Sequence, residues 1–233
     1  MKKRMGFAVA ALFVAMTLFP SANSSAGVWT RVDQKTLQFY GGEAGIEIGD
    51  ADKLQGMLTP ETTKLIVNTQ GGPTSEGIKL GKIIADRRLT VEVVNKCMSS
   101  CANYMFTSAP VRIINKGIVG FHGNVKACFS TPEQQAAMVD DMRKQGVTQK
   151  AIDELLEETA HEIVDEAALL QRAGVSQALF DISCTDDKGA GDGKTYDYWL
   201  PTRRTLEQYG FHDVVGDQDA AVAAAYPRPT IIR

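Results

Sequence analysis

Apolar residues in the first half of the chain follow two different spacings. Compact apolar runs at residues 64–68 and 89–94 have the length and composition of buried strands. Between them, apolar residues at 75–86 recur every three or four positions, which predicts an amphipathic helix. A second helix is predicted to begin near Ser99 and to end near Pro110. This order of strands and helices predicts right-handed crossover units and a mostly parallel sheet.

Shorter segments extend this expected sheet on both sides. Further strands are predicted over residues 37–40, 46–48, 111–114 and 118–121, and a short helix over 51–58. The first two of these strands flank Gly41-Gly42, which indicates a hairpin. Functional groups of parallel sheets lie at the carboxyl ends of the strands. The sequence places Gly71-Gly72, Ser99-Ser100 and His122 at such ends.

The pattern becomes helical from Thr131 onward. Thr131 and Pro132 have the residue types of an N-cap and a first helical position. Apolar residues then recur at helical spacing through residues 147–174, and the opposite face is acidic. We interpret residues 131–174 as a helical insertion. Two interpretations stay open, a partner-contact surface and a solvated helix lying on its own sheet.

The first 26 residues have the pattern of a secretory signal peptide. A basic start, an apolar run too short to span a bilayer, and a segment of small residues follow one another. Cleavage is expected after Ala26, with Ala22 as the competing position and an uncleaved anchor as the other interpretation. The mature chain, residues 27–233, is then predicted to be one soluble domain in the periplasm or outside the cell.

Composition narrows the function classes. A net charge of −3 argues against a nucleic-acid-binding surface. The mature part contains four cysteines, an even number that permits two disulfides in an exported chain. The cysteines are Cys97, Cys101, Cys128 and Cys184. They form no CxxC pair and lack the histidine spacing of a zinc site, so no metal is expected.

The segment Lys96-Cys97-Met98-Ser99-Ser100-Cys101-Ala102 is the main candidate for chemistry. A strand precedes it and a helix follows it, so a serine hydroxyl is placed at a helix N-terminus, where backbone N–H groups are unpaired. This environment suits a serine nucleophile, because an oxyanion forms beside it. The same pattern is also typical of a simple N-cap.

A serine nucleophile needs a base, and the chain has three histidines. His161 lies within the acidic helix, and His212 follows a helix near the end of the chain. His122 ends an apolar strand, where it can reach the same sheet edge as Ser99. Gly71-Gly72 allows the backbone angles that an oxyanion hole requires.

These motifs together resemble the Clp protease proteolytic subunit. Residues 67–77 are similar to its Asn-Ser-Pro-Gly-Gly segment, residues 97–102 to its nucleophile turn, and residues 118–122 to the strand that carries its base. Residues 197–210 resemble its late carboxylate, short helix and Tyr-Gly stop. The resemblance covers about residues 64–215 and extends to exported proteins of the crotonase superfamily. It implies a ClpP/crotonase-like spiral β-sheet with flanking helices and a helical insertion.

The resemblance also implies a set of site residues. Ser99 matches the nucleophile, His122 the base and Asp197 the orienting acid, and the amides of Gly72 and Ser100 would form the oxyanion hole. Ser100 is the alternative nucleophile, and Asp192 and Asp181 are the alternative acids. A Cys97–Cys101 disulfide would rigidify the turn around Ser99.

The resulting expectation is an ATP-independent serine peptidase that needs no cofactor. Its partners would be a peptide or protein substrate and further copies of itself, without an ATPase and without a membrane after signal cleavage. Two alternatives stay open: a non-catalytic binding or oligomerisation module, and a crotonase-like acyl-transforming enzyme.

Overall fold

The computed structural model describes residues 27–181 and 198–219, and the backbone of residues 229–230. The strands are β1 (Val28–Arg31), β2 (Thr36–Tyr40), β3 (Lys64–Thr69), β4 (Thr90–Met98), β5 (Arg112–Gly120), β6 (Tyr198–Trp199), β7 (Val214–Gly216) and β8 (Pro229–Thr230). The α-helices are α1 (Asp50–Met57), α2 (Thr74–Arg87), α3 (Val125–Phe129), α4 (Pro132–Lys144), α5 (Gln149–Ala173), α6 (Ala178–Asp181) and α7 (Arg203–Gln208). A π-helix covers Cys101–Phe106.

Six strands form the main sheet in the order β1-β2-β3-β4-β5-β7. β1 pairs antiparallel with β2, and every other pair in this sheet is parallel. The predicted α/β class with flanking helices is therefore confirmed. The predicted parallel unit of β3, α2 and β4 is present as well, because apolar side chains of the strands and of one helix face are buried against each other.

Two details of the predicted sheet are wrong. Residues 46–48 are not a strand, because the chain turns through two left-handed glycines, Gly45 and Gly49. The Ile46 N–H instead donates to the Gly71 carbonyl at 2.7 Å, so this segment covers the Gly71-Gly72 loop. β2 pairs antiparallel with β1, which precedes it in the chain, and not with residues 46–48.

The two strands predicted over residues 111–121 are one continuous strand, β5. The chain passes Lys116 with a positive φ of 53°, and the pairing with β4 shifts at this point. Pairing resumes beyond the shift, where Met98 lies opposite Gly120. This register brings the ends of β4 and β5 to the same level, and the next residues of each strand begin the candidate site.

Aromatic rings fill the core beside these strand ends. Phe121 has four aromatic neighbours with ring centroids within 6.5 Å, namely Phe106, Phe180, Trp199 and Phe211. Phe121 is fully buried and exchanges two backbone hydrogen bonds with Trp199. The residue before His122 is therefore fixed on both its backbone and its side chain.

The long helix α5 packs against α2 and α3. It begins after the N-cap Thr148 and ends at the left-handed Gly174, and α4 begins with a capping box made by Thr131 and Gln134. In the described ranges, no helix is both long enough and apolar enough to cross a bilayer. The predicted signal segment, residues 1–26, lies outside the described residues.

Candidate active site

Ser99 lies at the turn from β4 into the π-helix, in a strained backbone conformation. Its φ is +57°, which is uncommon for a residue with a side chain and is found preferentially at functional sites. Two backbone hydrogen bonds hold this turn. The Ser99 N–H donates to Gly120 at 2.9 Å, and the Ser99 carbonyl accepts from Asn103 at 2.8 Å. Ser99 itself is half-buried.

His122 meets this hydroxyl at the end of β5. The Ser99 Oγ lies 2.6 Å from His122 Nε2. On the other side of the ring, Nδ1 lies 2.7 Å from the Gly123 carbonyl oxygen. A carbonyl can only accept, so Nδ1 carries a proton, and in the neutral imidazole Nε2 is then the nitrogen that accepts from Ser99. This is the tautomer that a general base for Ser99 requires.

The neighbouring serine has a different environment. Ser100 is 2% exposed, and its Oγ accepts from the Gly72 N–H at 2.8 Å and donates to the Gly72 carbonyl at 2.9 Å. Both partners belong to the backbone of one residue, so this hydroxyl ties the end of β3 to the turn after β4. The structure thus brings Ser99, and not Ser100, to His122.

The same contact involves one of the two backbone donors predicted for the oxyanion hole. The Gly72 N–H is not an open donor in this structure, because the Ser100 hydroxyl reaches it first. Gly72 also has no room for a side chain, since a Cβ there would lie 2.0 Å from the Ile46 carbonyl oxygen. The Ser100 N–H stays at the first turn of the helix, where backbone N–H groups lack intrahelical acceptors.

A disulfide encloses the turn. Cys97 is the last but one residue of β4 and Cys101 begins the π-helix, and the two are bonded with their Cα atoms 5.2 Å apart. Both residues are fully buried. The predicted Cys97–Cys101 pair is therefore confirmed, and it closes a covalent ring around Ser99. Cys128 is also disulfide-bonded; Cys184 lies outside the described residues.

The structure describes one of the three candidate acids for the predicted triad. Asp197 and the alternative Asp192 lie outside the described residues. The other alternative, Asp181, is an exposed residue at the end of α6, where it accepts from the Gln177 side chain at 3.0 Å. The ring of Tyr198 lies 5.7 Å from the His122 ring, centroid to centroid.

Glu166 on α5 is a buried residue near the site that the sequence did not single out. Its carboxylate accepts from the Tyr104 hydroxyl and from the backbone N–H groups of Val125 and Lys126, the latter two at 3.0 Å. Burial raises the pKa of Glu166, and these hydrogen bonds partly oppose that rise. Glu166 therefore ties α5 to the π-helix after Ser99 and to α3 after His122.

Sequence offered no signal that distinguished Glu166. It is one of several acids on a helix face that looked uniformly solvated, and only the packing of α3 and Tyr104 separates it from the others. Asn103, by contrast, had a weak signal. It is a single amide within an otherwise buried segment of small and apolar residues.

No group of three or more metal-binding side chains occurs within the described ranges. The site as described is a serine, a histidine, a strained turn and a disulfide. A neutral imidazole in this position can accept the proton of the Ser99 hydroxyl.

Comparison with known proteins adds little to this picture. No family model matches the chain, and no curated protein matches it. Among solved structures, the chain is similar to a probable enoyl-CoA hydratase/isomerase from Mycobacterium abscessus, with a TM-score of 0.33 and 10% identity over 69% of this chain and 80% of that chain. A likeness at this level carries no argument, so the site is interpreted from its own geometry.

Proposed function

We propose that this chain is a serine hydrolase that cleaves peptide bonds, with Ser99 as the nucleophile and His122 as the base. The observation that carries the proposal is the 2.6 Å contact between Ser99 Oγ and His122 Nε2. A histidine with a purely structural role would not require its hydroxyl partner to lie on a strained turn, whereas a base that activates a serine nucleophile accounts for this arrangement.

The proposed reaction has two halves. The Ser99 oxygen attacks the substrate carbonyl while His122 Nε2 takes the hydroxyl proton, and the imidazolium then returns this proton to the leaving amine. The acyl group stays on Ser99 as an ester. Water, deprotonated by His122, then attacks the ester, and the carboxylic acid product leaves as the Ser99 hydroxyl is restored.

Two other residues support this reaction in the proposal. The Ser100 N–H, at the start of the helix, is a backbone donor for the developing oxyanion. Asp197 is proposed as the acid that orients the His122 ring, whose Nδ1 also lies 2.7 Å from the Gly123 carbonyl oxygen. The disulfide around the turn keeps Ser99 in its strained conformation.

We also propose that the protein works in the periplasm or outside the cell. The buried disulfide at the site supports this location, because structural disulfides persist in oxidising compartments. The mass of the protein recovered from the exported fraction tests the proposal. A chain beginning at Gly27 is expected, and a full-length chain in the cytosolic fraction would contradict it.

A fluorophosphonate probe tests the activity. We expect wild-type protein to be labelled once, with the added mass on the peptide containing Ser99. Ser99→Ala and His122→Ala should abolish labelling, whereas Ser100→Ala should keep it. An unlabelled wild-type protein would favour a binding module. Labelling lost only in Ser100→Ala would show that Ser100, and not Ser99, is the nucleophile.

A peptide library read by mass spectrometry tests the substrate class. New peptide termini should appear with wild-type protein and not with Ser99→Ala. If the probe labels Ser99 but no peptide is cleaved, the hydrolase assignment stands and the assignment to peptide bonds is wrong.

A further inference from the structure

Asn103 connects to both members of the serine–histidine pair. Its backbone N–H donates to the Ser99 carbonyl at 2.8 Å. Its side-chain Nδ2 donates to the His122 carbonyl at 3.2 Å. One residue of the π-helix therefore contacts the backbone of both Ser99 and His122. Insertions of π geometry into helices occur frequently at functional sites.

The environment of Asn103 is unfavourable for an amide. The residue is 1% exposed, and its buried Oδ1 has no hydrogen-bond partner among the residues that the structure describes. Its helical neighbours Ala102, Met105 and Phe106 are fully buried. A buried acceptor without a partner destabilises a folded protein, and leucine has nearly the same size and no polar atom.

The contact with His122 explains why position 103 holds an asparagine and not an apolar residue. The hydrogen bond to the His122 carbonyl is the side-chain contact that leucine could not make. His122 follows the end of β5, beyond the last pair of the β4–β5 ladder, Met98 and Gly120. Its backbone is therefore no longer held by that ladder, and Asn103 supplies a fixed point at this position.

We propose that Asn103 is a positioning residue that sets the distance between Ser99 and His122, at the expense of stability. The proposal rests on the proposed function for its effect on activity, but not for its structural content. Loss of the side-chain donor removes one of the contacts that hold the His122 backbone in place, and small displacements of a base reduce reactivity strongly.

The first test combines reactivity with stability in Asn103→Leu. The rate of fluorophosphonate labelling should fall by roughly tenfold or more. The melting temperature should stay the same or rise, because the variant removes the unpartnered oxygen. A merely structural residue would give the opposite pattern, a lower melting temperature with an unchanged labelling rate for the folded fraction, and that result would overturn the proposal.

Ser108→Ala is the matched control. Ser108 follows the same helical segment and is 7% exposed, and its buried hydroxyl oxygen likewise has no partner in the described part of the chain. The variant removes such an atom without touching His122, so labelling should proceed at the wild-type rate. A loss equal to that of Asn103→Leu would show that any change in this helix disturbs the site, and would overturn the specific role of Asn103.

A second readout does not depend on activity. The chain has three histidines, so their imidazole NMR signals can be followed individually. Asn103→Leu should move the His122 signals and leave those of His161 and His212 in place. Unchanged His122 signals would overturn the proposal. An unlabelled wild-type protein whose His122 signals do respond would refute the hydrolase assignment while leaving the positioning role intact.

Asn103→Asp is the second test variant, to be used if Asn103→Leu does not fold. Aspartate keeps the shape of asparagine but places an acceptor against the His122 carbonyl. The labelling rate should fall and the His122 signals should move, and a variant that behaves as wild type in both measurements would refute the role.

Discussion

Glu162 gives the structure a pH dependence that can be tested by a single substitution. This half-buried side chain lies on α5, one turn before Glu166. Burial raises the pKa of Glu162 to about 7, and the carboxylates of Glu158, Glu166 and Asp165 add to the rise. An ionised Glu162 is therefore unfavourable in the folded protein.

The sign and size of the effect follow from linkage. Below pH 4.5, the ordinary pKa, both folded and unfolded chains hold the proton and the group contributes nothing. As the pH rises towards 7, only the unfolded chain releases the proton, so the free energy of unfolding falls. The full difference would be about 3 kcal/mol. Because the side chain is partly in water, screening reduces it to roughly 1–2 kcal/mol.

Urea unfolding of wild type and Glu162→Gln between pH 4 and 8.5 measures the effect. The two should be equally stable near pH 4, and the variant should be roughly 1–2 kcal/mol more stable at pH 8. Glu157→Gln, on an exposed position of the same helix, should show no such dependence on pH. A Glu162→Gln variant whose advantage is the same at every pH, or absent above pH 7, would refute the reasoning.

Two further predictions concern buried groups, one at the start of β5 and one at the turn around Ser99. Arg112 is 2% exposed and donates to the carbonyls of Phe106, Thr107 and His212, while burial lowers its pKa to about 10. Arg112→Met should lower the free energy of unfolding by roughly 2–4 kcal/mol. Arg112→Lys should recover less than half of this loss, because one ammonium cannot span three carbonyls. Urea unfolding of Arg112→Met near the wild-type midpoint would contradict this prediction. Replacing both Cys97 and Cys101 by alanine should lower the free energy of unfolding by about 2 kcal/mol, the value for so short a loop, and an unchanged urea midpoint would show that the ring contributes nothing.

Local patterns predicted the elements that carry the site. The strand at 64–68 and the helix at 75–86 are present with nearly the predicted bounds, because each buries a regular apolar face. The strand at 89–94 is also present, but it continues four residues further, to Met98. The same reasoning placed Gly71-Gly72, Ser99 and His122 at adjacent strand ends. Side-chain periodicity fixes such features, since it depends on residues close together in the chain.

Features that depend on distant contacts could not be predicted. Whether 46–48 forms a strand depends on the Gly71 carbonyl, which competes for the Ile46 N–H. The choice between Ser99 and Ser100 depends on Gly72, whose backbone takes the second hydroxyl. The burial of Glu166 depends on Tyr104 and on the turn after His122, and the spacing of apolar residues within α5 does not indicate it.

The short span between Ser99 and His122 has a consequence for the order in which the molecule assembles. The two residues are 23 positions apart and belong to one crossover unit, so pairing of β4 with β5 closes only a short loop. The reactive pair can thus form before α4 and α5, which follow it in the chain, have docked. If Ser99 is the nucleophile we propose, the order of folding as well as geometry would decide when this serine first meets a substrate.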